Sequence, residues 1–484
     1  MTLKKNLLSG LLWIVLLNLL IKPLWILGVD RGVQNAVGAE AYGLYFVVFN
    51  LAYIFNILLD LGVTNFNVRN IARHPQLIEK HLSGILSIKV LLLGLYLIVT
   101  LTVGMLLGYG SRQFWLLLWL SVNQFLNSLI TYLRSNFEGL LMFRMDSILS
   151  VLDRILMIAI CGYLLWRPDA PYFQIEWFVY AQTAAYLITA AVALIALGKH
   201  TGLKRLHFSK PFTLSILRQS APFALLVLLM ASYNRLDPIL LQRILPDGAH
   251  QAGIYAGAFR LLDALTMIAY LVSVPLLPIY SRLTKERNIE EIGSITQMVF
   301  AMMMVFSVTV AVTCAFNSEE LMQLMYSEHI EASARVFRIL IYGIIPISMT
   351  YIFGTLLTAN GSLKQLNIMA ASTLIVNLGI NLLLIPRWAS LGSAWASVTA
   401  QSVMALAQTI LALKMFYTKH WFRYINLTIF YVILIIGINC LLRTSAMQWE
   451  WRVVIALGFA MIIAIMLRLI NVKELIKIAL GDKE

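Results

Sequence analysis

The sequence predicts an all-α membrane protein that crosses the bilayer about fourteen times. The chain has 484 residues, of which 60% are hydrophobic and only 12% are charged. Soluble globular chains are about half apolar and about a quarter charged. Apolar runs of about 18 residues or more recur from end to end, and each is long enough to cross the hydrocarbon core as a helix. Helices are expected because lipid offers no partner for backbone N–H and C=O groups.

The predicted spans follow one another with short connections. The first comes after Lys4 and Lys5, is too long for a signal-peptide core and lacks a small-residue cleavage site, so we expect it to be retained. Strands of about ten residues with alternating polarity, which are typical of membrane barrels, are not seen. The spans begin near residues 7, 42, 82, 113, 146, 177, 219, 252, 293, 335, 366, 391, 425 and 450.

The placement of charge predicts the orientation of the chain. The net charge is +14, and Lys and Arg occur on one set of alternate connections about three times as often as on the other. The positive-inside rule therefore places both termini in the cytoplasm. Because topology explains the basic excess, nucleic acid is not a predicted partner. The three cysteines all lie in apolar segments, which argues against a disulfide framework or a metal site.

An internal repeat predicts two six-helix bundles. "GAEAYGLYFVVF" (38–49) aligns with "GAHQAGIYAGAF" (248–259) at a constant offset, with matching Gly, Ala, Tyr and Phe positions. Six spans return the chain to its starting side, so the two copies are expected to be parallel repeats. A basic connection (198–219) separates them. The predicted organisation is an N-terminal bundle (1–200), a C-terminal bundle (201–420), and two additional helices with a cytoplasmic tail (421–484).

Several predicted spans carry a polar stripe along one helical face. In the second span the stripe residues recur at steps of three and four, which is the period of one face. Such a stripe is costly against acyl chains and should face the bundle interior or a water-filled cavity. The stripes comprise Asn50, Tyr53, Asn56, Asp60, Thr64 and Asn67 in the second span, Gln124, Ser128, Thr131, Ser135 and Glu138 in the fourth, Arg260, Asp263, Thr266, Tyr270 and Ser273 in the eighth, and Thr373, Asn377 and Asn381 in the eleventh.

Two interpretations of these stripes stay open. Asn, Ser and Thr join membrane helices through hydrogen bonds, and Arg260 with Asp263 also suits a local pair one turn apart. Alternatively, stripes on several helices line a hydrated cavity. The cations Lys22, Arg134, Arg235 and Arg260 would make that cavity suitable for an anion, since a guanidinium pairs well with phosphate.

Three segments resemble one family. They are "GAEAYGLYFVVFNLAYIFNILLDLGVTNFNVRNIAR" (38–73), "NRLDPILLQRILPDGAHQAGIYAGAFRLLDALTMIAYLVSVPLLPIYSRL" (234–283) and "ANGSLKQLNIMAASTLIVNLGINLLLIPRWASLGSAWASVTAQ" (359–401). In this order they resemble bacterial polysaccharide-export flippases of the multidrug/oligosaccharidyl-lipid/polysaccharide exporter superfamily. One departure is "PRWASLGSAW", where members usually carry a tyrosine-glycine turn after the proline, and it puts that local loop in doubt.

The resemblance implies a transporter, not an enzyme. Such proteins flip undecaprenyl-diphosphate-linked oligosaccharides, such as O-antigen units, across the bacterial inner membrane by alternating access. They work beside a polysaccharide polymerase and chain-length proteins. On that basis the four cations above would draw in the diphosphate, while Asn56, Asn377 and Asn381 would bind sugar. No cofactor is expected apart from coupling to H⁺ or Na⁺, for which Asp60, Asp237 and Asp263 are the candidates; no catalytic residues or metal ligands are assigned.

Two other functions remain as alternatives. A multidrug or peptidoglycan-precursor exporter of the same superfamily is the nearer one, although drug exporters favour cavities that are smaller and richer in carboxylates. A membrane-embedded polysaccharide polymerase is the other. It would need an outer loop or domain with catalytic acids, whereas the largest predicted outer loop (317–334) is short.

Overall fold

The structure is a computed structural model that describes residues 20–21, 23–64, 67, 71, 78–140, 142–166, 173–199, 210–273, 275–416 and 421–470, with backbone alone for a few of them, chiefly 210–220. Throughout these ranges the chain is helical or in short turns, and no β-strand occurs in them. The predicted all-α class is confirmed.

Long helices, formed by the apolar runs, alternate with shorter helical segments. A π-helical turn (Trp25–Asp30) precedes the first long helix, and a 3-10 segment (Phe55–Leu59) follows it. The helices are α1 (Arg31–Ile54), α2 (Ile78–Leu106), α3 (Ser111–Gly139), α4 (Phe143–Trp166), α5 (Ile175–Gly198), α6 (Lys210–Arg235), α7 (Asp237–Ile244), α8 (Gly248–Ser273), α9 (Leu276–Glu286), α10 (Ile289–Phe316), α11 (Ser318–Met325), α12 (Ile330–Leu340), α13 (Ile344–Met349), α14 (Thr355–Ala359), α15 (Leu363–Met415), α16 (Trp421–Arg443) and α17 (Trp449–Met466).

The apolar helices are those expected of a multi-pass membrane protein. Among the described residues, 11 helices are long and apolar enough to cross a membrane, or 12 if α6 and α7, bent by 50° at Leu236, form one span. Each lies at a predicted span position. The first predicted span, near residue 7, falls almost wholly outside the described residues. The total of fourteen spans and the cytoplasmic placement of both termini stay predictions.

The longest helix, α15, is a hairpin that contains two of the predicted spans. Its 53 residues would extend about 80 Å if straight. Instead the backbone turns at Ala389 (φ 48°, ψ −129°), shortly after Pro386. The Ser393 hydroxyl donates to Asn381 Oδ1 at 2.9 Å across the turn. The predicted spans near residues 366 and 391 are therefore its two antiparallel arms.

A second reversal occurs at Gly38, inside α1. Gly38 has φ 78°, which favours glycine, and it interrupts the helical dihedrals. Across the turn, the Tyr42 hydroxyl donates to Asp30 Oδ2 at 2.8 Å. Along an unbroken helix these residues would lie about 18 Å apart. Gly38 thus ends the helix that contains Trp25–Asp30 and begins the predicted second span.

The chain divides into two compact units, Met1–Ala256 (unit 1) and Gly257–Glu484 (unit 2). The division falls within α8. Residues of each unit contact one another more than they contact the other unit. This division does not test the predicted bundle boundaries at residues 200 and 420, which stay predictions.

Within unit 1 the two copies of the sequence repeat pack against each other. A Cβ atom placed on Gly43 would lie 1.9 Å from the Ala249 carbonyl oxygen, and one on Gly253 would lie 1.9 Å from the Ala39 carbonyl oxygen. The two contacts interchange equivalent positions of the repeat. Only glycine permits so close a backbone approach, as in the small-residue crossings of other membrane helices. Gly43 and Gly253 are therefore required by packing.

Candidate transport site

The polar stripes of the second and fourth predicted spans face each other. Asn56 Nδ2 donates to Gln124 Oε1 at 2.5 Å, and Asn67 Nδ2 donates to Ser135 Oγ at 2.9 Å. Both pairs are 68 residues apart in sequence, so the two stripes run in the same direction. Hydrogen bonding between helices, one of the two interpretations of these stripes, therefore describes Asn56 and Asn67 in this structure.

A buried lysine on α2 lies at the centre of this contact. Lys89 Nζ donates to Asp60 Oδ1 at 2.7 Å, to Ser128 Oγ at 2.8 Å and to the Leu59 carbonyl at 2.9 Å. Thr64 Oγ1 donates a further short hydrogen bond to Asp60. The Lys89 side chain is 1% exposed and that of Asp60 is 23% exposed. All three ammonium protons have acceptors, which a buried cation requires.

The helix is broken where Lys89 binds. Asp60 is followed by Leu61 (φ 45°) and Gly62 (φ 81°), both in the left-handed region. A broken helix leaves carbonyl groups without intrahelical donors, and Lys89 serves the Leu59 carbonyl. Asp60, an acidic residue within an apolar span, is therefore explained by its buried partner Lys89. Sequence reasoning missed Lys89, although a single lysine in the apolar run "ILSIKVLLLGLY" was the available signal.

Arg134, predicted to bind anions, is paired in this structure. Its Nε donates to Asp146 Oδ1 at 2.7 Å. The Asp146 carboxylate is 1% exposed and the arginine side chain 23% exposed. Much of the charge of Arg134 is thus directed to a buried carboxylate on α4. Its role as a substrate ligand stays a prediction.

Arg235 is brought to the stripe of the second span. Its guanidinium carbon lies 4.9 Å from the centroid of the Tyr53 ring, which is cation–π geometry. Arg235 is half-buried, at the end of α6, and Tyr53 is 38% exposed. Tyr53 lies one helical turn before Asn56. The structure therefore brings one predicted cation into contact with the stripe that carries Asn56.

Two buried aspartates accept hydrogen bonds from tyrosines near the two copies of the repeat. Asp237 accepts from the Tyr255 hydroxyl at 2.8 Å, and Asp30 accepts from Tyr42 at the same distance. Each aspartate lies a short way before its copy of the repeat. Asp237 was a predicted coupling residue. Asp30 was missed, and the repeat alignment does not reveal it, because Asp30 aligns with Leu240 at the offset of the repeat.

The predicted residues of unit 2 lie on two helices. Arg260 and Asp263 are half-buried and one turn apart on α8. Asn377 and Asn381 are fully buried on α15, where Asn381 donates to the Asn377 carbonyl at 3.0 Å and accepts from Ser393 across the hairpin. The asparagines thus lie between helices. Lys22 falls outside the described residues.

The described residues contain no group of three or more His, Cys, Asp or Glu side chains that could hold a metal ion. Coupling to H⁺ or Na⁺ through Asp60, Asp237 or Asp263 stays a prediction.

Comparison with known families identifies the chain. The model of the polysaccharide biosynthesis protein family matches residues 7–284, which is more than half of the sequence. The chain belongs to this family. The MatE family model matches residues 222–383. The family resemblance drawn from the three motifs is thereby confirmed. No curated protein matches the sequence at a significant level.

Solved structures support the same fold for this family member. A lipid II flippase, MurJ, in an inward closed conformation superposes with TM-score 0.69 at 14% identity, covering 96% of this chain and 100% of its own. An inward-facing multidrug resistance transporter of the MATE family gives 0.65 at 13% identity, covering 81% and 94%. A MOP superfamily transporter from Pyrococcus furiosus gives 0.61 at 15%, covering 86% and 96%. At these identities the similarity shows the fold alone.

Family membership covers most of the predicted site. Asp60, Arg134, Arg235, Arg260 and Asp263 all lie within the residues that the polysaccharide biosynthesis model matches. The chain is thus a multi-pass membrane protein of that family with the fold of the larger exporter superfamily.

Proposed function

We propose that this protein moves undecaprenyl-diphosphate-linked oligosaccharide units across the inner membrane of a bacterium by alternating access. It would act as a transporter without chemistry of its own. A polysaccharide polymerase and chain-length proteins would receive the unit on the outer side. O-antigen is the product class that the motifs favour.

The contact between Arg235 and Tyr53 carries this proposal. A guanidinium that lies over an aromatic ring keeps its positive charge, which attracts an anion such as a phosphate. Tyr53 is partly exposed and lies in a predicted membrane span. A cation beside a partly exposed aromatic ring is suited to a lipid-linked sugar, since the guanidinium can bind the diphosphate and the ring can contact a sugar.

The neighbouring polar groups would complete the site. Asn56 and Gln124 form one hydrogen bond with each other and retain further amide hydrogen-bonding capacity for sugar hydroxyls. Arg260, Lys22, Asn377 and Asn381 are proposed as additional substrate ligands. Coupling to H⁺ or Na⁺ would use Asp60, Asp237 or Asp263, of which Asp60 is partly exposed beside its ammonium partner.

The test is a set of Arg235 variants in a strain that lacks the chromosomal copy. Arg235→Ala should reduce surface polysaccharide at least tenfold with normal amounts of inserted protein, and Arg235→Lys should restore part of it. Arg112→Gln is the matched control. Arg112 is paired with Glu176, with 2.7 Å between Nε and Oε1, and is not part of the Tyr53 contact. Normal polysaccharide in the Arg235→Ala strain would remove Arg235 from the site and withdraw the proposal's main support.

Two observations favour second candidates that share this fold. The MurJ superposition covers 100% of that lipid II flippase, and the MatE match covers residues 222–383. Purified protein in proteoliposomes should therefore be given three fluorescent substrates: a polyprenyl-diphosphate oligosaccharide, lipid II and a cationic drug. Selective movement of the first supports the proposal. Faster transport of lipid II would instead indicate a lipid II flippase, and faster transport of the drug would indicate a multidrug exporter.

A further inference from the structure

A small polar pocket lies in unit 1, away from the Tyr53 contact. It has a volume of about 130 Å³ and lies between the turn that follows α2 and the short helix α7. Its lining includes Leu107, Gly108, Tyr109, Gln113, Gln242 and Arg243; we call it the Arg243 pocket. Sites for drug-sized ligands have volumes of roughly 300–1,000 Å³, so this pocket suits a single small group.

Its cation, Arg243, has no partner among the residues that the structure describes. Three other arginines of unit 1 form ion pairs, Arg112 with Glu176, Arg134 with Asp146 and Arg154 with Asp153. Within the described residues Arg243 forms no ion pair or hydrogen bond, and its side chain is exposed. No carboxylate lines the pocket. An unpaired guanidinium in a pocket free of acids is suited to an anion.

The backbone turn beside that guanidinium contains a glycine in the left-handed region. Gly108 has φ 70°, in the left-handed region. A Cβ atom on Gly108 would lie 3.7 Å from an Arg243 Nη atom, which is ordinary van der Waals contact, so the Gly108 backbone lies beside the guanidinium. Any larger residue here would be strained and would narrow the pocket.

Two further donors line the pocket. Gln113 Oε1 accepts from the Gly110 backbone N–H at 3.0 Å, which leaves its amide N–H groups for another acceptor. The Tyr109 hydroxyl is buried and has no hydrogen-bond partner in the described part of the chain. Burial raises the pKa of Tyr109, so the phenol remains a neutral donor. The pocket therefore combines one cation with unused hydrogen-bond donors.

The position of the pocket indicates which kind of molecule could supply an anionic group to Arg243. The last residues of α2, Met105 and Leu106, are 66% and 78% exposed and end a predicted membrane span. Such apolar side chains suit acyl chains, and Leu107 directly after them lines the pocket. A group bound to Arg243 would thus sit at the boundary between hydrocarbon and water, where lipid phosphates lie.

We propose that the Arg243 pocket binds the phosphate group of a membrane lipid whose acyl chains lie against Met105 and Leu106. The orientation predicted from the charge asymmetry of the connections would place this lipid in the outer leaflet. This lipid is distinct from the transported substrate, so the proposal does not depend on which lipid-linked sugar the protein moves. A lipid bound here would tie the turn after α2 to α7, and hence to the bend that follows Arg235.

The test uses the full-length protein in a phosphate-free maltoside detergent, with thermal unfolding as the readout. Phosphatidylglycerol, a diacyl glycolipid without phosphate, and inorganic phosphate are titrated separately. The phospholipid should raise the unfolding temperature of the wild type more than the glycolipid does, since a ligand that binds the folded state stabilises it. Arg243→Gln should weaken the apparent affinity for the phospholipid at least tenfold, and Tyr109→Phe a few-fold.

The same titrations supply a control variant and the results that would contradict the proposal. Arg112→Gln removes a cation at the same end of the helices that already has a partner, and it should leave phospholipid binding unchanged. Equal affinities for wild type and Arg243→Gln would overturn the site. Equal stabilisation by the glycolipid would overturn the role of phosphate. Stabilisation by inorganic phosphate alone, at the same concentration, would overturn the lipid as its source. Since Arg243 is exposed, its substitution should not impair folding.

Discussion

The two units bury polar groups in different ways. Every buried charged residue in the described part of the chain lies in unit 1, and the polar residues that unit 2 buries there carry only neutral amides and hydroxyls. The charged set is Asp30, Lys89, Asp146, Asp153 and Asp237.

Each buried charge in unit 1 has a partner within that unit. Lys89 pairs with Asp60, and Asp146 with Arg134. A buried charge is tolerated only when it is paired and hydrogen-bonded, so these groups hold helices together. The difference teaches that charge inside a membrane protein is not by itself evidence of a binding site. Arg235, half-buried against an aromatic ring, is the better candidate for a substrate ligand.

The largest effect is expected where a buried charge loses its partner. In Lys89→Met, Asp60, Ser128 and the Leu59 carbonyl lose their common donor. We expect the free energy of unfolding, measured by equilibrium unfolding in detergent, to fall by about 3–5 kcal/mol. The double variant Lys89→Met/Asp60→Asn should recover part of it, because no unpaired carboxylate remains. Lys364→Met, at an exposed position in unit 2, is the control; an equal loss there would contradict a special role for Lys89.

A smaller loss is expected at the other ion pair. Arg134→Leu leaves the Asp146 carboxylate buried without a cation, but the arginine was 23% exposed and water can partly replace it. We expect a loss of about 2 kcal/mol in the same measurement. Asp146→Asn in the Arg134→Leu background should restore stability toward the wild-type value. If the single variant is as stable as the wild type, this pair does not stabilise unit 1.

The smallest of the three effects is expected in unit 2. Asn381→Leu removes the acceptor of the Ser393 hydroxyl and a donor to the Asn377 carbonyl. Hydrogen bonds between membrane helices contribute on average less than about 1 kcal/mol each, so a total loss of about 1 kcal/mol is expected. Asn426→Leu, at an exposed position on α16, should have no effect. If Asn381→Leu lowers the free energy of unfolding as much as Lys89→Met does, buried charges in unit 1 are not more important for stability than buried amides in unit 2.

Much of the fold could be predicted because its signals are local. The apolar runs place the helices, and the steps of three and four place Asn56 and Asp60 on one face. The partner of that face could not be predicted in the same way. Asn56 meets Gln124 and Asp60 meets Lys89 on other helices, and nothing in the period of one helix specifies the face of another.

The candidate site shows the same limit. Arg235 was predicted from its charge within an apolar span, but its contact with Tyr53 joins residues far apart in sequence. The reversal within α15 was predicted as two spans, whereas the burial of Asn381 between its arms depends on how the arms pack.

By itself, the sequence determined a helical membrane protein, its span positions, its internal repeat and its family, because hydrophobicity, helical period and motif order are all properties read along the chain. Only the tertiary structure decided that Gly43 and Gly253 cross in contact with the other copy, that Lys89 holds the broken helix at Asp60, and that Arg235 stacks on Tyr53. Those outcomes depend on which remote faces are brought together, and that choice is made by packing over the whole unit.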